Sequence, residues 1–463
     1  MSLESVVVEV RGRVVPDEAE REALESVVEE LSARAEAAIA DLPVEADTRL
    51  VGSTARGTWL SGDRDVDLFV RFPPSLSREQ LETHGLAVGH EVLPDGHEEF
   101  AEHPYVKGEL DGFEVDCVPC YAVESAADIR SAVDRTPFHT DYLEGRIEPL
   151  ADDVRVAKAF LGGIGVYGSD LETRGFSGFL TELLVLEYGG FRPFVEAAAD
   201  WQPPVRLTPE PHDEGGETAS PNAGDGDDGS AFDDPLVVVD PTDPGRNVAA
   251  VCSARNVARL VHYARELLDE PRVELFESRE PDPLSAAAVR ERVEARGTTP
   301  VAVRFEAPDV VDDQLYPQLE KSLGGVEGAL ERAGFAPLRS ARFADGTAVL
   351  LVECAVAELP AVARHRGPPV GVREHAEGFY DAYADDETVT GPFVDEEGRY
   401  VVERPREART PADLLEAKLF DVSLGVHVES ALESGYDLLV GEEIAALADE
   451  FGVELARYFW PEP

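Results

Sequence analysis

The stretch VGSTARGTWLSGDRDVDLFVRF, residues 51–72, constrains the fold more than any other part of the chain. Its first half predicts one turn of helix from Ser53 to Thr58. Its second half, Asp65 to Phe72, alternates into Val, Leu, Phe and Val, which predicts a strand. Residues two positions apart on a strand point to the same side, so Asp65 and Asp67 present both carboxylates on one face.

The two halves of this stretch predict two kinds of ligand. Backbone amides at the start of a short helix, here after Gly52-Ser53, favour an anion such as phosphate. Paired carboxylates favour a hard divalent cation such as Mg²⁺, which prefers oxygen ligands. A phosphate site next to a metal site predicts phosphoryl or nucleotidyl transfer.

Such a transferase needs a third carboxylate. Tyr105 to Leu110 and Phe113 to Val118 predict a β-hairpin that turns at Asp111-Gly112. The second strand of this hairpin offers Glu114 and Asp116 on one face. If it lies beside the Asp65–Asp67 strand, either residue could complete the site, and the pattern alone leaves both open.

Composition predicts a folded, salt-adapted protein. The chain has 463 residues, is 43% hydrophobic and carries a formal net charge of −53. That apolar content argues against disorder, so the charge indicates a carboxylate-covered surface suited to a cytoplasm with molar salt. In molar salt the Debye length is roughly 3 Å, so the acidic surface does not exclude a nucleic-acid partner.

Targeting and redox features point to the same compartment. The 4 cysteines are too few and too scattered for a disulfide framework. The sequence has neither a signal-peptide core nor an apolar run of membrane-spanning length. We therefore expect a cytoplasmic protein with no membrane partner.

The remaining pattern predicts alternating helices and strands around one atypical segment. Residues 208–234 are rich in Asp, Glu, Gly and Ser and predict a solvated acidic insertion. A β-α-β-β order between 300 and 353 predicts a small open sheet packed on a helix, which RNA-binding modules often use. The last section is predicted to be mainly helical. The other predicted elements are helices Asp17–Ala40, Asp152–Gly163, Gly178–Ala199 and Ala254–Leu268 and the strand Leu236–Asp240.

A family resemblance adds to this reading. Gly52-Ser53, Asp65-x-Asp67 and the later VDCVPCY block, residues 115–121, resemble the nucleotidyltransferase superfamily that includes poly(A) polymerases and CCA-adding enzymes. Three further blocks resemble the archaeal-type (class I) CCA-adding enzymes and follow in order: SAVDRTPFHTDYLEGR (131–146), VYGSDLETRGFSGFLTELL (166–184) and DPTDPGRNVAA (240–250). The resemblance covers essentially the whole chain except the acidic insertion.

The resemblance implies an α+β fold in four parts. A nucleotidyltransferase-type catalytic head with a mixed sheet and helices would be followed by a helical neck, a small α/β body and a mainly helical tail. The neck would contact the nucleotide and contain the acidic insertion, and the body and tail would bind tRNA. The implied ranges are 1–140, 141–270, 271–375 and 376–463.

The resemblance also implies the site residues. It selects Asp116 over Glu114, so that Asp65, Asp67 and Asp116 would be catalytic and hold Mg²⁺. The first of these acids is often Glu in the family and is Asp65 here, which shortens one arm of the site. The implied nucleotide contacts are Gly52, Ser53, Arg56, Thr136, His139, Lys158, Tyr167 and, on the base edge, Arg246.

The implied activity is template-independent addition of C, C and A to the 3′ end of tRNA, with repair of incomplete ends. CTP and ATP would be the substrates, two magnesium ions would assist, and pyrophosphate would leave. The implied partners are the tRNA 3′ end and acceptor arm and a second copy in a homodimer. The alternatives are a transferase like poly(A) polymerase or oligoadenylate synthetase, and an RNA-binding protein without catalysis.

Overall fold

The computed structural model describes residues 1–100, 102–210 and 232–463, and it divides the chain into two units, Met1–Arg279 and Glu280–Pro463. Most of the predicted acidic insertion, 208–234, lies outside the described residues. In the described part of the chain, no helix combines the length and the apolar character needed to cross a bilayer.

The first unit begins with a helix pair and a five-stranded sheet and continues into a mostly helical region. Its elements are α1 (Leu3–Val14), α2 (Glu18–Ala40), β1 (Asp47–Val51), α3 (Gly52–Ala55), β2 (Asp65–Phe72), α4 (Arg78–Val92), β3 (His97–Phe100), β4 (Pro104–Leu110), β5 (Phe113–Tyr121), α5 (Thr136–Leu143), α6 (Ala151–Gly163), α7 (Gly178–Tyr188), α8 (Phe191–Ala199), β6 (Val205–Leu207), β7 (Leu236–Asp240), β8 (Asp243–Asn247) and α9 (Ala254–Asp269).

The five-stranded sheet has the order β1-β2-β5-β4-β3. Only β2 and β5 pair in parallel, and the other neighbours are antiparallel. The predicted hairpin is confirmed: β4 and β5 join through Asp111 and Gly112, whose φ angles of 49° and 80° suit a tight turn. The sheet is therefore mixed, as expected for the catalytic head.

One face of β2 packs on helices and the other is left for the site. Val66, Leu68 and Val70 of β2 are buried in one cluster with Leu31 of α2 and Leu81 of α4, among others. The alternate residues of β2 must point to the opposite face. The predicted strand Asp65–Phe72 is thus confirmed residue for residue, with its carboxylates away from the helical layer.

Helix starts follow the side-chain chemistry of their caps. Asp17 accepts from the backbone of Glu20, whose side chain accepts from the backbone of Asp17, so a capping box begins α2. Ser177 caps α7 by accepting from the backbone of Leu180. The predicted helical turn after Gly52 is shorter than expected and ends at Ala55.

The predicted single helix Gly178–Ala199 is wrong in its continuity. Gly189 and Gly190 adopt φ angles of 79° and 140° and separate α7 from α8. Side-chain-bearing residues rarely adopt such angles, so the two glycines allow the chain to turn where the apolar pattern continues. Helices α1 and α5–α9 then share one large core, which includes Phe160, Phe176 and Phe191.

The second unit contains two further sheets. Its elements are α10 (Ala286–Arg296), β9 (Thr299–Glu306), α11 (Asp312–Ala333), β10 (Pro337–Ala344), β11 (Thr347–Cys354), β12 (Val362–Pro369), α12 (Arg373–Tyr383), β13 (Thr390–Val394), β14 (Arg399–Pro405), α13 (Pro411–Lys418), α14 (Val426–Ser434), β15 (Tyr436–Val440) and α15 (Ala448–Phe459). The sheet orders are β10-β11-β9-β15 and β12-β14-β13.

The predicted β-α-β-β segment is confirmed as β9, α11, β10 and β11. Strand β15 adds to the free edge of β9 and comes from much later in the chain. The final section contains the predicted helices, but it also contains β13, β14 and β15, which the sequence pattern did not predict.

Candidate active site

The turn at Gly52 is shaped around a carboxylate. Gly52 has a φ of +76°, and a Cβ placed there would lie 2.1 Å from Oδ2 of Asp67. Any side chain would therefore be strained in its backbone and would also displace the carboxylate. Glycine at this position lets the start of α3 lie directly against Asp67.

The parallel pairing of β2 and β5 determines which acids are neighbours. Asp67 lies opposite Asp116, and Asp65 lies opposite Glu114. Residues in register on paired strands share a face, so all four carboxylates point to the side away from α2 and α4. We call Asp65, Asp67 and Asp116 the carboxylate cluster.

Lys107 of β4 distinguishes the two candidates for the third acid. Its Nζ lies 3.2 Å from Glu114 and 3.9 Å from Asp116. The Glu114 side chain is 64% exposed, whereas that of Asp116 is 30% exposed. Glu114 is thus an outward-facing partner of Lys107, and Asp116 lies further inside the cluster beside Asp67.

The carboxylate cluster has more negative charge than its surroundings neutralise. Burial, and then the charges of Asp116 and Asp65, raise the pKa of Asp67 to about 6. Burial also raises the pKa of Asp116, although Lys107 acts in the opposite direction. Oδ1 of Asp116 is buried and has no hydrogen-bond partner among the described residues.

These features suit a cation, because a cation would give the buried oxygen a partner and relieve the like charges. Within the described ranges, however, no group of three or more His, Cys, Asp or Glu side chains is already arranged around a common metal position. The three side chains would have to turn toward one another to share an ion.

Arg56 is the first residue of the loop that follows α3, and Lys158 of α6 contacts this loop; both side chains are buried. Arg56 donates from Nε to Glu182 Oε2 at 3.0 Å, and its Nη1 donates to Thr140 Oγ1 at 3.3 Å. Lys158 donates to the backbone carbonyl of Thr58 at 3.0 Å. Both predicted nucleotide contacts are therefore engaged by protein groups and lie only 8% and 3% exposed.

Lys158 and Tyr167 meet at the start of α7. A Cβ on Gly178 would lie 3.3 Å from the Tyr167 hydroxyl and 3.9 Å from the Lys158 Nζ. Burial lowers the pKa of Lys158, while Glu182 favours its charged form. Burial and then the Glu182 charge raise the pKa of Tyr167, with smaller effects from Asp63 and Asp65. The Tyr167 hydroxyl therefore stays protonated and lies within electrostatic range of the carboxylate cluster.

His139 and Arg246 are held by one buried acid. His139 Nε2 and Arg246 Nη1 each lie 2.8 Å from Asp240 Oδ2, and the Asp240 side chain is fully buried. Thr242 donates its backbone N–H and hydroxyl to the other oxygen, Oδ1. Thr136, the first residue of α5, lies one turn before Thr140. We call Asp240 with its donors His139, Arg246 and Thr242 the Asp240 cluster.

The pKa values of the Asp240 cluster are shifted as this pairing requires. Burial alone would raise the pKa of Asp240, but the donors outweigh it and hold the pKa below its ordinary value. Burial lowers the pKa of His139 despite its carboxylate partner. The arrangement is thus an ionised Asp240 that accepts from Arg246 and from the His139 imidazole. The imidazole also stacks on Phe179, with ring centroids 3.8 Å apart.

The predicted site residues therefore fall into three groups within the first unit. Gly52 and the carboxylate cluster form one, and Arg56, Lys158 and Tyr167 form the second around Glu182. His139 and Arg246 form the third around Asp240, whereas Thr136 lies at the start of α5 and Ser53 lies on α3 next to Gly52. The groups are joined, because Arg56 contacts Thr140, the neighbour of His139, and its charge favours ionised Asp67.

Sequence reasoning missed the two buried acids that organise these groups. Glu182 is a single acid within the apolar stretch GFLTELLVL of α7, and Asp240 ends the apolar strand β7. The available signal was an acid within or at the end of a mostly apolar stretch, because a buried carboxylate requires donors. The sequence does not show which donors those are.

Three family descriptions match successive parts of the chain. A nucleotidyltransferase domain matches residues 26–139, the second domain of tRNA nucleotidyltransferase matches 152–277, and the C-terminal domain of CCA-adding enzyme matches 296–441. The first match includes both strands of the carboxylate cluster. The second includes Glu182 and Asp240.

Curated relatives align over nearly the whole length. The chain is 61% identical to the CCA-adding enzyme of Haloarcula marismortui and 56% identical to that of Halobacterium salinarum, over 99% of each chain. It is 40% identical to the CCA-adding enzyme of Methanosarcina mazei over 98% of each chain. These relatives include proteins from salt-loving archaea, in keeping with the acidic surface.

Proposed function

The chain belongs to the family of CCA-adding enzymes, and we propose on that basis that it adds C, C and A to the 3′ end of tRNA and repairs incomplete ends. The observation that carries the proposal within the structure is the parallel register of β2 and β5. This register sets Asp67 beside Asp116 on one face, with Asp65 two residues away on the same strand.

The carboxylate cluster is the proposed site of Mg²⁺. Asp65, Asp67 and Asp116 would hold it, and the bound ions would supply charge neutralisation at the reacting phosphate. The unpartnered buried Oδ1 of Asp116 and the raised pKa of Asp67 support this assignment. The nearby cations Lys107 and Arg56 only partly offset the repulsion, and Oδ1 of Asp116 lies 3.9 Å from Lys107 Nζ without a hydrogen bond among the described residues.

The reaction is an in-line displacement at the α-phosphorus of CTP or ATP. The terminal ribose O3′ of tRNA forms the new P–O bond, and the bond to pyrophosphate breaks. Asp116 is the proposed acceptor of the hydroxyl proton, since its pKa is raised and a base works best when its pKa approaches the working pH. The proton and the leaving group thus have separate destinations.

The proposed nucleotide contacts differ in how they act. Gly52 and Ser53, at the start of α3, would bring backbone N–H and hydroxyl groups to the triphosphate. Thr136, His139 and Tyr167 offer polar groups on half-buried positions. Arg56 in the loop and Lys158 beside it contribute buried positive charge, which the low dielectric strengthens. Arg246 is the proposed reader of the base edge.

The proposal includes partners beyond the nucleotide. The 3′ end and acceptor arm of tRNA would bind the head and neck, and the ranges 271–375 and 376–463 would bind the rest. We also propose a homodimer and a cytoplasmic site of action, since the substrates are tRNA, ATP and CTP. The four predicted ranges, 1–140, 141–270, 271–375 and 376–463, remain part of this proposal.

The test is incorporation on three tRNA transcripts in molar KCl with Mg²⁺. One transcript lacks the CCA end, one carries its first C and one carries both C residues, and each is given CTP or ATP alone. We expect C on the first two and A only on the third. Continued A addition on any end would support the poly(A) polymerase alternative, and binding without incorporation would support a non-catalytic RNA-binding protein.

A further inference from the structure

A single buried acid, Glu182, organises the loop that follows α3. The side chain is fully buried within the mostly apolar helix α7. An isolated carboxylate in such a place would cost several kcal/mol, so its partners must explain its presence. Both of its partners belong to one short segment, residues 56–58.

The two oxygens of Glu182 hold two residues of that loop. Oε2 accepts a hydrogen bond from Nε of Arg56 at 3.0 Å and lies 2.8 Å from its Nη2 in an ion pair. Oε1 accepts a short hydrogen bond from the hydroxyl of Thr58, which is itself fully buried. Because both oxygens are occupied and inaccessible, Glu182 is not placed to contact substrate or metal.

Two side chains of helix α6 also donate hydrogen bonds to the same loop. Lys158 donates to the carbonyl of Thr58 at 3.0 Å. Arg155 donates to the carbonyl of Trp59 at 2.8 Å and to that of Gly57 at 2.5 Å. Each of the four residues 56–59 is therefore held by a charged side chain of α6 or α7.

The position of this loop connects these hydrogen bonds to the proposed substrate site. It connects α3, which begins at Gly52, to the strand that carries Asp65 and Asp67. A displacement of the loop would move α3 against Asp67, which already lies in contact with Gly52. Buried ion pairs add little net stability compared with apolar packing, so stability alone does not account for this arrangement.

We infer that Glu182 is a positioning residue that sets the triphosphate-binding conformation of the loop after Gly52-Ser53. The inference rests on the proposed nucleotidyl transfer and names a residue outside its proposed contacts. The triphosphate is common to CTP and ATP, whereas the base is read elsewhere. Glu182 therefore acts equally on both nucleotides and leaves tRNA binding unchanged.

The sign of the effect separates positioning from simple charge balance. Removing a carboxylate beside Arg56 and Lys158 makes the site more positive, which by itself would favour a triphosphate. A loss of nucleotide affinity in Glu182→Gln then comes from displacement of the loop or from loss of the Lys158 charge, which Glu182 favours. The variant Thr58→Val keeps the carboxylate beside Lys158, so a loss of affinity in that variant as well identifies displacement of the loop. A gain in affinity would mean that Glu182 is only a counter-charge and would overturn the inference.

The experiment compares Glu182→Gln with Glu187→Gln, an exposed acid on the same helix. Equilibrium dialysis without tRNA gives the CTP and ATP dissociation constants, and steady-state addition gives KM and kcat. In Glu182→Gln we expect both dissociation constants and both nucleotide KM values to rise about tenfold by a common factor, with the tRNA KM unchanged. Glu187→Gln should match the wild type.

A second variant guards against misfolding. Thr58→Val removes one donor to Glu182 without changing charge, and we expect a rise of about threefold in the same constants. Unchanged nucleotide constants with only a smaller active fraction, or a change in one nucleotide alone, would overturn the inference. If the wild type adds neither C nor A, the proposed function fails instead, which the same assay reveals.

Discussion

The carboxylate cluster and the Asp240 cluster place the same side chain in opposite environments. Asp67 faces other carboxylates, and burial together with Asp116 and Asp65 raises its pKa to about 6. Asp240 is also buried, but its hydrogen bonds and charged partners lower its pKa instead. One site has too little positive charge for its acids, and the other has donors for every acidic oxygen.

The difference shows what each cluster is built to do. An acid whose oxygens are all paired stabilises the fold in its ionised form and holds its partners still. Acids that repel one another make the metal-free fold less stable, and a cation removes that cost. The cluster that is poorer for stability is the one proposed to do the chemistry.

The largest expected effect is a loss of catalysis when the carboxylate cluster is changed. Asp67→Asn removes a charge from the carboxylate cluster, so we expect incorporation to fall at least about a thousandfold. Single-turnover addition of AMP to a tRNA ending in CC measures it. Circular dichroism should show an intact fold, and retention of activity would refute the role of Asp67.

The next largest effect concerns the Asp240 cluster, where a substitution should reduce the stability of the fold. Asp240→Asn leaves Arg246 and His139 with a neutral partner, so we expect a loss of about 2–3 kcal/mol in the free energy of unfolding at pH 7. Asp243→Asn, in the same hairpin, is the control, since Asp243 pairs with partly exposed Arg135 and accepts from the backbone N–H of Gly245. Urea unfolding in molar KCl measures both variants, and equal losses would contradict the special role of Asp240.

The pH dependence of stability sharpens the contrast. The pKa of Asp67 is raised from 3.8 to about 6, so the ionised group destabilises the folded state above pH 6 and not below about pH 4. With EDTA present, Asp67→Asn should be more stable than wild type at pH 8 by about 2 kcal/mol, allowing for partial solvent access. The gain should disappear as the pH falls from 6 to 4.

For Asp240 the sign is reversed. Its lowered pKa stabilises the fold above the ordinary value of 3.8 and loses that contribution as the pH falls below it. The deficit of Asp240→Asn should therefore shrink only in strong acid. If both variants had the same pH dependence, the contrast between the clusters would be wrong.

The smallest expected effect comes from the metal. Mg²⁺ binds only the folded state, so at ten times its dissociation constant it should add about 1.4 kcal/mol to wild-type stability. Asp67→Asn should show little of this gain. Thermal unfolding in molar KCl with EDTA or Mg²⁺ measures it, and an equal gain in both proteins would place the metal elsewhere.

The local pattern predicted much of the fold and two of the three acids of the carboxylate cluster, Asp65 and Asp67. The strand Asp65–Phe72 was predicted with its observed ends because alternation depends only on neighbouring residues. The break at Gly189-Gly190 was missed because the apolar pattern continues across it. Strands β13 and β14 were missed because they lack a clear alternation of buried residues.

Contacts between residues that are far apart in sequence limit what the sequence pattern can predict. The pattern left Glu114 and Asp116 equivalent, and only the register of β5 on β2, together with Lys107, separates their surroundings. Arg56 and Glu182 are 126 residues apart in sequence, and their pairing depends on how α7 packs. Residue type can predict that a buried acid needs a donor, but not which donor the fold supplies.

The most direct test of the account compares Asp116→Asn with Glu114→Gln, two neutral replacements of comparable size on the same face of β5. The measurement is single-turnover addition of AMP to a tRNA ending in CC, in molar KCl with saturating Mg²⁺ and ATP. The account predicts a loss of at least about a thousandfold for Asp116→Asn and near-wild-type addition for Glu114→Gln. An inactive Glu114→Gln beside an active Asp116→Asn would contradict it.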